Sequence, residues 1–417
     1  MKVLLSAYAC EPNRGSEPGV GWHWALEVAR RGHQVWVLTR ANNREVVEAE
    51  VRRMGGVENL CFLYYDLPPW AKCWKKGGRG VHLYYLLWQW GAYRLARRIH
   101  SRERFELVHH ITFGVIRQPS FMGGLGVPFI FGPVGGGERA PWRLRLGYSW
   151  RGLLLDAVRD LFNLLSVIDP TMRCTFSQAK WIVAKTSQSF AALPRSFHSK
   201  TSIRLEIGIE PPTLAETGSA QARPLRVLFV GRFIYWKGMH LGFPAFAKLL
   251  RARPEARLTM VGGGPEEGRW RRLAARLGIS ESIDWVPWTP HGELAAVYAR
   301  HDLFLFPSLR DSSGNVVLEA MSHGLPVVCL GLGGPGVLVN DSCGRVIKTA
   351  GRSRREVEEA LGQALVELAE DEELRRSCSR GALERAREFA WPRVVSAVYE
   401  DVEQALGGSR QAERMNG

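Results

Sequence analysis

Two short stretches in the second half of this 417-residue chain hold the residue types that grip and move a charged group. The first, Gly231-Arg232-Phe233-Ile234-Tyr235-Trp236-Lys237-Gly238, directly follows the apolar run 226–230. If that run is a strand, Arg232 and Lys237 stand in the loop at its carboxyl end. Two permanent cations there can clamp a diphosphate and neutralise charge building on a leaving group. An ordinary solvated basic loop would have the same composition. The second stretch, Asp311-Ser312-Ser313-Gly314-Asn315-Val316-Val317-Leu318-Glu319-Ala320-Met321, follows the apolar run 303–306. A turn at Gly314 and a helix start would aim free backbone N–H groups at an anion, with Asp311 beside them. Glu319 is expected about two turns into that helix, where a carboxylate can hold vicinal hydroxyls. Helix capping by Ser312 or Ser313 is the plainer reading. Glu319 weighs against it, because a free carboxylate in the apolar run 316–321 would be costly.

The first half offers weaker candidates. Ser16-Glu17-Pro18-Gly19-Val20-Gly21-Trp22 reads as a glycine loop between a first strand and a helix over 24–31, with Gly19 and Gly21 letting backbone approach a phosphate. The glycines do not form GxGxxG, and Arg40 stands where a ribose-binding acid would end the second strand, so a nicotinamide-dinucleotide enzyme is disfavoured. Leu107-Val108-His109-His110-Ile111 reads as a strand whose alternation sends the two imidazoles to opposite faces. Only one of His109 and His110 can then face a ligand, the other being a packed or hydrogen-bonded histidine, and a histidine in a strand is more often structural than catalytic. Gly132-Pro133-Val134-Gly135-Gly136-Gly137-Glu138 reads first as a structural tight turn, with contact to a second substrate by Glu138 as the alternative.

The elements that must position these residues follow from the pattern. Short apolar runs at 3–8, 35–39, 60–65, 107–111, 129–131, 182–185 and 203–207 alternate with longer amphipathic stretches. A second series runs through 226–230, 258–261, 283–286, 303–306, 327–330 and 345–347. Strand–helix alternation makes each series a doubly wound parallel sheet. The segment 211–224, rich in Pro, Thr, Ala and Gly, reads as the linker. The expected domains are 1–212, joined by a C-terminal helix at 392–406, and 224–390. Ligands of such sheets bind outside the carboxyl ends of the strands.

With Gly-Arg-x4-Lys-Gly and carboxylate-x7-Glu in place, followed by Ala320 to Val328 as Ala-Met-x2-Gly-Leu-Pro-Val-Val, the chain resembles retaining nucleotide-sugar glycosyltransferases of the GT-B fold, specifically glycosyltransferase family 4. The resemblance implies two Rossmann-like domains facing a cleft, an acceptor-binding first and a donor-binding second. It implies transfer of a sugar from a nucleotide diphosphate-sugar to an acceptor hydroxyl with retention, in cell-surface polysaccharide or glycolipid synthesis. Arg232 and Lys237 would hold the diphosphate and Glu319 the ribose. Asp311, Gly314, Asn315 and Val316 would surround the sugar and phosphate, the glycine loop would close over the phosphates, and a histidine of the 109–110 pair would stand near the donor sugar. The family's first carboxylate is normally Glu; Asp311 keeps the charge on a shorter arm. Two other readings are a GT-B sugar-nucleotide epimerase or phosphorylase, and a non-catalytic sugar-nucleotide-binding protein on a membrane.

Charge and cysteine usage bound the setting. The chain carries +15, and residues 1–225 hold 30 basic and 17 acidic side chains, so nearly all of the surplus lies in the first half. Within 70–104, cations interleave with Trp70, Trp74, Tyr84, Tyr85, Trp88, Trp90 and Tyr93, and a second such stretch runs over 142–165. Trp, Tyr and Arg together suit the headgroup zone of an anionic membrane. A buried aromatic face or a single-stranded nucleic acid site would use the same residues, but no nucleic-acid module accompanies them. Seven widely spaced cysteines argue for reduced thiols and a cytoplasmic protein, peripheral on the membrane's cytoplasmic face. No Asp-x-Asp or clustered histidine–carboxylate spacing calls for a metal, and no cofactor is expected besides the nucleotide-sugar substrate.

Overall fold

The computed structural model describes residues 1–71, 80–210 and 223–415, and the chain forms two compact units. The first unit comprises Met1–Gly137, Leu161–Ile207 and Trp391–Gly417; the second comprises Glu138–Asp160 and Gly208–Ala390. Most of the expected linker, 211–222, lies outside the described residues, as do Cys73 and Trp74.

The first unit is built on a seven-stranded sheet: β1 (Lys2–Ser6), β2 (Gln34–Arg40), β3 (Leu60–Tyr65), β4 (Leu107–His110), β5 (Phe129–Val134), β6 (Trp181–Ala184) and β7 (Thr201–Ile203). The spatial order is β3-β2-β1-β4-β5-β6-β7, with every pair parallel. Its central strands are apolar without alternation because helices cover both faces. Every residue of β4 and β5 is buried. The helices in this half of the chain are α1 (Ser16–Arg30), α2 (Arg44–Arg53), α3 (Val81–Glu103), α4 (Trp150–Ser166), α5 (Pro170–Gln178) and α6 (Ser187–Ala192). Asp169 caps α5 by accepting the Thr171 N–H, with Pro170 in the first turn where its missing N–H costs nothing. Beneath α3 an aromatic core gathers Tyr8, Tyr84, Tyr85, Trp88, Phe131 and Phe176.

The second unit repeats the plan with six parallel strands: β8 (Arg226–Val230), β9 (Arg257–Val261), β10 (Ile283–Val286), β11 (Leu303–Phe306), β12 (Val327–Leu330) and β13 (Gly344–Ile347), in the order β10-β9-β8-β11-β12-β13. Around them lie α7 (Met239–Ala252), α8 (Glu267–Arg276), α9 (His291–Tyr298), α10 (Asn315–Ser322), α11 (Pro335–Leu338), α12 (Arg354–Glu370) and α13 (Glu372–Glu388). A capping box between Ser353 and Glu356 starts α12. The last helix, α14 (Trp391–Met415), returns to the first unit, where Arg31 on the chain just after α1 meets Ser396 and Glu403, and Arg204 meets Asp401.

Three details differ from the sequence expectation. Residues 138–160 belong with the second unit, not the first. There His240 donates to the Leu144 carbonyl (2.9 Å), Arg269 to the Gly147 carbonyl (3.0 Å), and Ser149 to Glu266 (2.7 Å). The stretch holding Gly19 and Gly21 is the first turns of α1, not a loop. A Cβ at either position would lie about 2 Å from the carbonyl oxygen of Arg14 or Ala9, so these glycines let the helix pack against the chain leaving β1. The edge strand β7 ends at Ile203, and the apolar residues Leu205 and Ile207 that suggested a later strand are buried beyond it.

Candidate active site

The strand order of the second unit reverses between β8 and β11, so the loops leaving these two strands diverge from a common crevice. Those loops are the two stretches singled out by sequence. The Leu309 N–H donates to the Trp236 carbonyl at 2.8 Å, tying one loop to the other. Gly238 makes the approach possible. Its φ is +76°, and a Cβ there would lie 1.9 Å from the Pro307 carbonyl oxygen. Gly262-Gly263-Gly264, after β9, completes the rim, with the Phe233 N–H donating to the Gly263 carbonyl at 2.8 Å. This third loop escaped the sequence reading, although three glycines directly after an apolar run were its signal.

Within the crevice the ammonium of Lys237 donates to Asp311 at 2.6 Å and lies 4.5 Å from the centre of the Phe306 ring. The other Asp311 oxygen accepts the Gly314 N–H at 2.9 Å and the Ser313 N–H at 3.3 Å. Burial works to raise the Asp311 pKa. Lys237 and these N–H groups outweigh it and hold the carboxyl below its ordinary value. The N-terminal end of α10 thus receives a carboxylate from the chain's own loop. Gly314, in the left-handed region at φ +84°, turns the chain into α10, and Asn315 and Val316 open the helix half-buried. Arg232 is exposed at the lip of the loop.

Glu319 lies one turn into α10 rather than two, because the helix starts at Asn315. It accepts the Tyr298 hydroxyl at 2.9 Å, and the ring of half-exposed His291 stands 3.8 Å from its other oxygen. Tyr298, buried at the end of α9, fixes the carboxylate's direction. Sequence reasoning passed over it, since nothing local joins α9 to α10. A further set supports the loop from behind. Arg310, next to Asp311, is paired with buried Asp156 of α4 and lies 4.5 Å from the Trp236 ring centre. Arg145 bridges Asp156 (3.2 Å) and Asp160 (2.8 Å).

The first unit places its candidates differently. His109 and His110 do point to opposite sides of β4, and both are enclosed. His109 donates from Nε2 to the Gly132 carbonyl at 2.7 Å and packs against Trp24 and Tyr399. His110 contacts the Tyr85 hydroxyl (3.1 Å) through Nε2 and the Ser120 hydroxyl (3.0 Å) through Nδ1. Burial lowers the His109 pKa to about 4 and the His110 pKa to about 3. The expectation that one imidazole is free for a ligand therefore fails here: helices on both faces leave neither side of β4 open. Glu138 is only 2% exposed, which removes it from an acceptor-contact role in this conformation. The loops at the first unit's own switch point are joined through Glu17. This half-buried carboxylate in the first turn of α1 accepts the Phe113 N–H at 2.7 Å.

The stretch 70–104 also divides. Tyr84, Tyr85 and Trp88 are core residues, whereas Trp70 and Trp90 are exposed with Arg94, Arg97 and Arg98. No group of three or more His, Cys, Asp or Glu side chains able to hold a metal occurs among the described residues. Among them, no helix is long and apolar enough to cross a membrane.

Residues 215–385 match the family described as Glycosyl transferases group 1. The chain is 31% identical over 217 residues to the D-inositol 3-phosphate glycosyltransferase of Segniliparus rotundus, covering 51% of this chain and 45% of that protein. Over 199 residues it is 34% identical to the enzyme of the same name from Nocardia farcinica, covering 46% and 43%. The chain thus spans less than half the length of these curated relatives. Among solved structures, sucrose-phosphate synthase from Thermosynechococcus elongatus superposes with a TM-score of 0.66 at 17% identity, covering 97% of this chain and 99% of that one. Anabaena HepE in complex with UDP gives 0.61 at 15% identity, covering 97% and 100%. WaaG, a glycosyltransferase involved in lipopolysaccharide biosynthesis, gives 0.58 at 19%, covering 95% and 98%. At these identities the likeness is one of fold, and the fold is GT-B.

Proposed function

We propose that this protein is a glycosyltransferase that moves a sugar from a nucleoside diphosphate sugar to an acceptor hydroxyl, with retention at the anomeric carbon. The carrying observation is the meeting of Lys237, the N-terminal turn of α10 and Glu319 at the carboxyl ends of β8 and β11. A diphosphate entering there finds an ammonium, the Arg232 guanidinium and the N-terminal turn of α10, which together neutralise the leaving charge; cations and dipoles do this work in place of a metal. Glu319, aligned by Tyr298, holds the ribose hydroxyls. The donor must draw Lys237 or the α10 turn away from Asp311, whose freed carboxylate then faces the sugar. Attack takes place on the face the diphosphate leaves, with a departing phosphate oxygen accepting the acceptor's proton. The match of 215–385 to Glycosyl transferases group 1 and the UDP complex of a fold neighbour support this reading. The first unit would bind the acceptor, a sugar or lipid-linked glycan, in polysaccharide or glycolipid synthesis at the cytoplasmic face of an anionic membrane. The excess of cations in 1–225 supports that setting.

Thermal melting against a panel of nucleoside diphosphate sugars tests the proposal. A ligand at 100 times its Kd stabilises the folded form by about 2.7 kcal/mol. One donor should raise the melting temperature of the wild type and not of Glu319→Ala. A panel with no stabilising member overturns the reading. Turnover without added acceptor would favour an epimerase.

A further inference from the structure

Helix α4 is inside out. Its outward face carries Trp150, Leu154, Leu155, Leu161, Phe162 and Leu164, each between 55% and 70% exposed. Its inward face carries Asp156, Asn163 and Ser166, all buried. At about 100° per residue, the exposed apolar side chains sweep roughly 180° of the helix circumference, with Asp156 and Asn163 opposite and Ser166 at the edge. The inward polarity has a clear cause, since Asp156 holds Arg310 and Arg145 while Asn163 donates to the Gly136 carbonyl. Nothing among the described residues covers the outward apolar side chains, and an exposed apolar patch of this kind marks a contact with something else.

The chemistry around the patch selects the occupant. Trp150 opens α4 and Trp142 lies in the short 3-10 turn before it; they are 70% and 68% exposed, and each lies beneath a guanidinium, Arg151 at 5.3 Å and Arg143 at 5.6 Å from the ring centre. Arg139, Arg143 and Arg151 are exposed, whereas no acidic side chain between 139 and 168 is. Indole and guanidinium pairs beside a leucine-rich face match a bilayer's layered chemistry: anionic headgroups above, acyl chains below. With 17 residues, α4 reaches about 25 Å and suits an in-plane position.

We propose that the outward face of α4, with Trp142 and Trp150, is the surface by which this protein inserts into an anionic lipid bilayer. This deepens the membrane setting proposed above and does not depend on glycosyl transfer. It also places the lipid contact on the helix whose inward side steadies Arg310, one residue from Asp311.

Co-sedimentation of the full chain with phosphatidylcholine vesicles, with and without phosphatidylglycerol, tests it. Wild type should bind the anionic vesicles more tightly. The double variant Leu154→Asp/Leu164→Asp changes only exposed positions and should lower that affinity at least about tenfold. Arg143→Glu/Arg151→Glu should lower affinity by about tenfold or more for anionic vesicles, with little effect on neutral ones. Trp90→Asp, at an exposed position of α3, should leave binding unchanged. If wild type binds and the α4 variants bind equally well, α4 is not the contact, although the membrane setting survives. If wild type ignores both vesicles, both readings fall. If Leu154→Asp/Leu164→Asp converts a dimer to a monomer without altering vesicle binding, the face is a protein interface and the proposal is wrong.

Discussion

The carboxylates of the second unit and the histidines of the first were both candidates to face a ligand. Their fates differ. Asp311 and Glu319 keep 19% and 13% of their side-chain surface exposed and stand on loops or a helix rim at the carboxyl edge of the sheet. His109 and His110, inside a strand covered on both faces, are 0% and 1% exposed. A strand in a doubly wound sheet offers its side chains to two helical layers, while the loop after it offers them to the crevice. Position relative to the strand's last residue therefore separates chemistry from packing.

The largest effect that could break this contrast is on turnover. Lys237→Ala and Glu319→Ala should each lower donor kcat/KM by about 100-fold or more, the range for losing a charge-stabilising group, beyond any loss of stability from the Asp311 carboxylate or Tyr298 hydroxyl left unpaired. Steady-state rates with the donor found by melting read this directly. Rates within about twofold of wild type would remove the second unit's loops from the chemistry.

The histidines should show the opposite signature. His109→Ala or His110→Ala should lower stability by about 2–4 kcal/mol in urea titrations, through the cavity and the unpaired hydroxyl or carbonyl left behind. Their pH dependence sharpens the point. Both rings have folded-state values depressed by burial, to about 4 and about 3, against an unfolded value near 6.5. The unfolded chain binds more protons in that window. Their contribution is thus fully present above about pH 6.5 and is lost as pH falls, at up to about 1.4 kcal/mol per unit for each ring. His110→Gln should flatten this acid limb; an unchanged limb would show that the imidazole is not held neutral in the interior.

The smallest expected effect is at Asp311→Glu. The longer arm moves the carboxylate relative to Lys237 and the Gly314 and Ser313 N–H groups, so the change should be a few-fold in KM, with a shift in preference among donor sugars. Parallel assays with two donors would read it, and identical ratios would show that Asp311 does not face the sugar.

Much of this was readable from the residues. The alternation of apolar runs specified two parallel sheets, because a strand buried on both faces must be apolar throughout and must be followed by a crossover. The spacing from Gly231 to Gly238 and from Asp311 to Glu319 is local to single strand–loop–helix units, so the sequence by itself determined which side chains share the second unit's crevice. Other features depended on partners distant in sequence. Whether Gly19 and Gly21 line a loop or a helix rests on the carbonyls of Arg14 and Ala9 that the helix must approach. Whether a histidine in β4 is free rests on α3 and α14, whose Tyr85 and Tyr399 close over it. Tyr85 and Trp88 are core while Trp90, two residues on, is exposed, because a helix turns about 100° per residue and only the packed face is covered. Composition announced aromatic and basic surface around 142–165, but only the tertiary structure turned the apolar side of α4 outward. Asp156 is needed inside, where Arg310 would otherwise stand as an uncompensated charge.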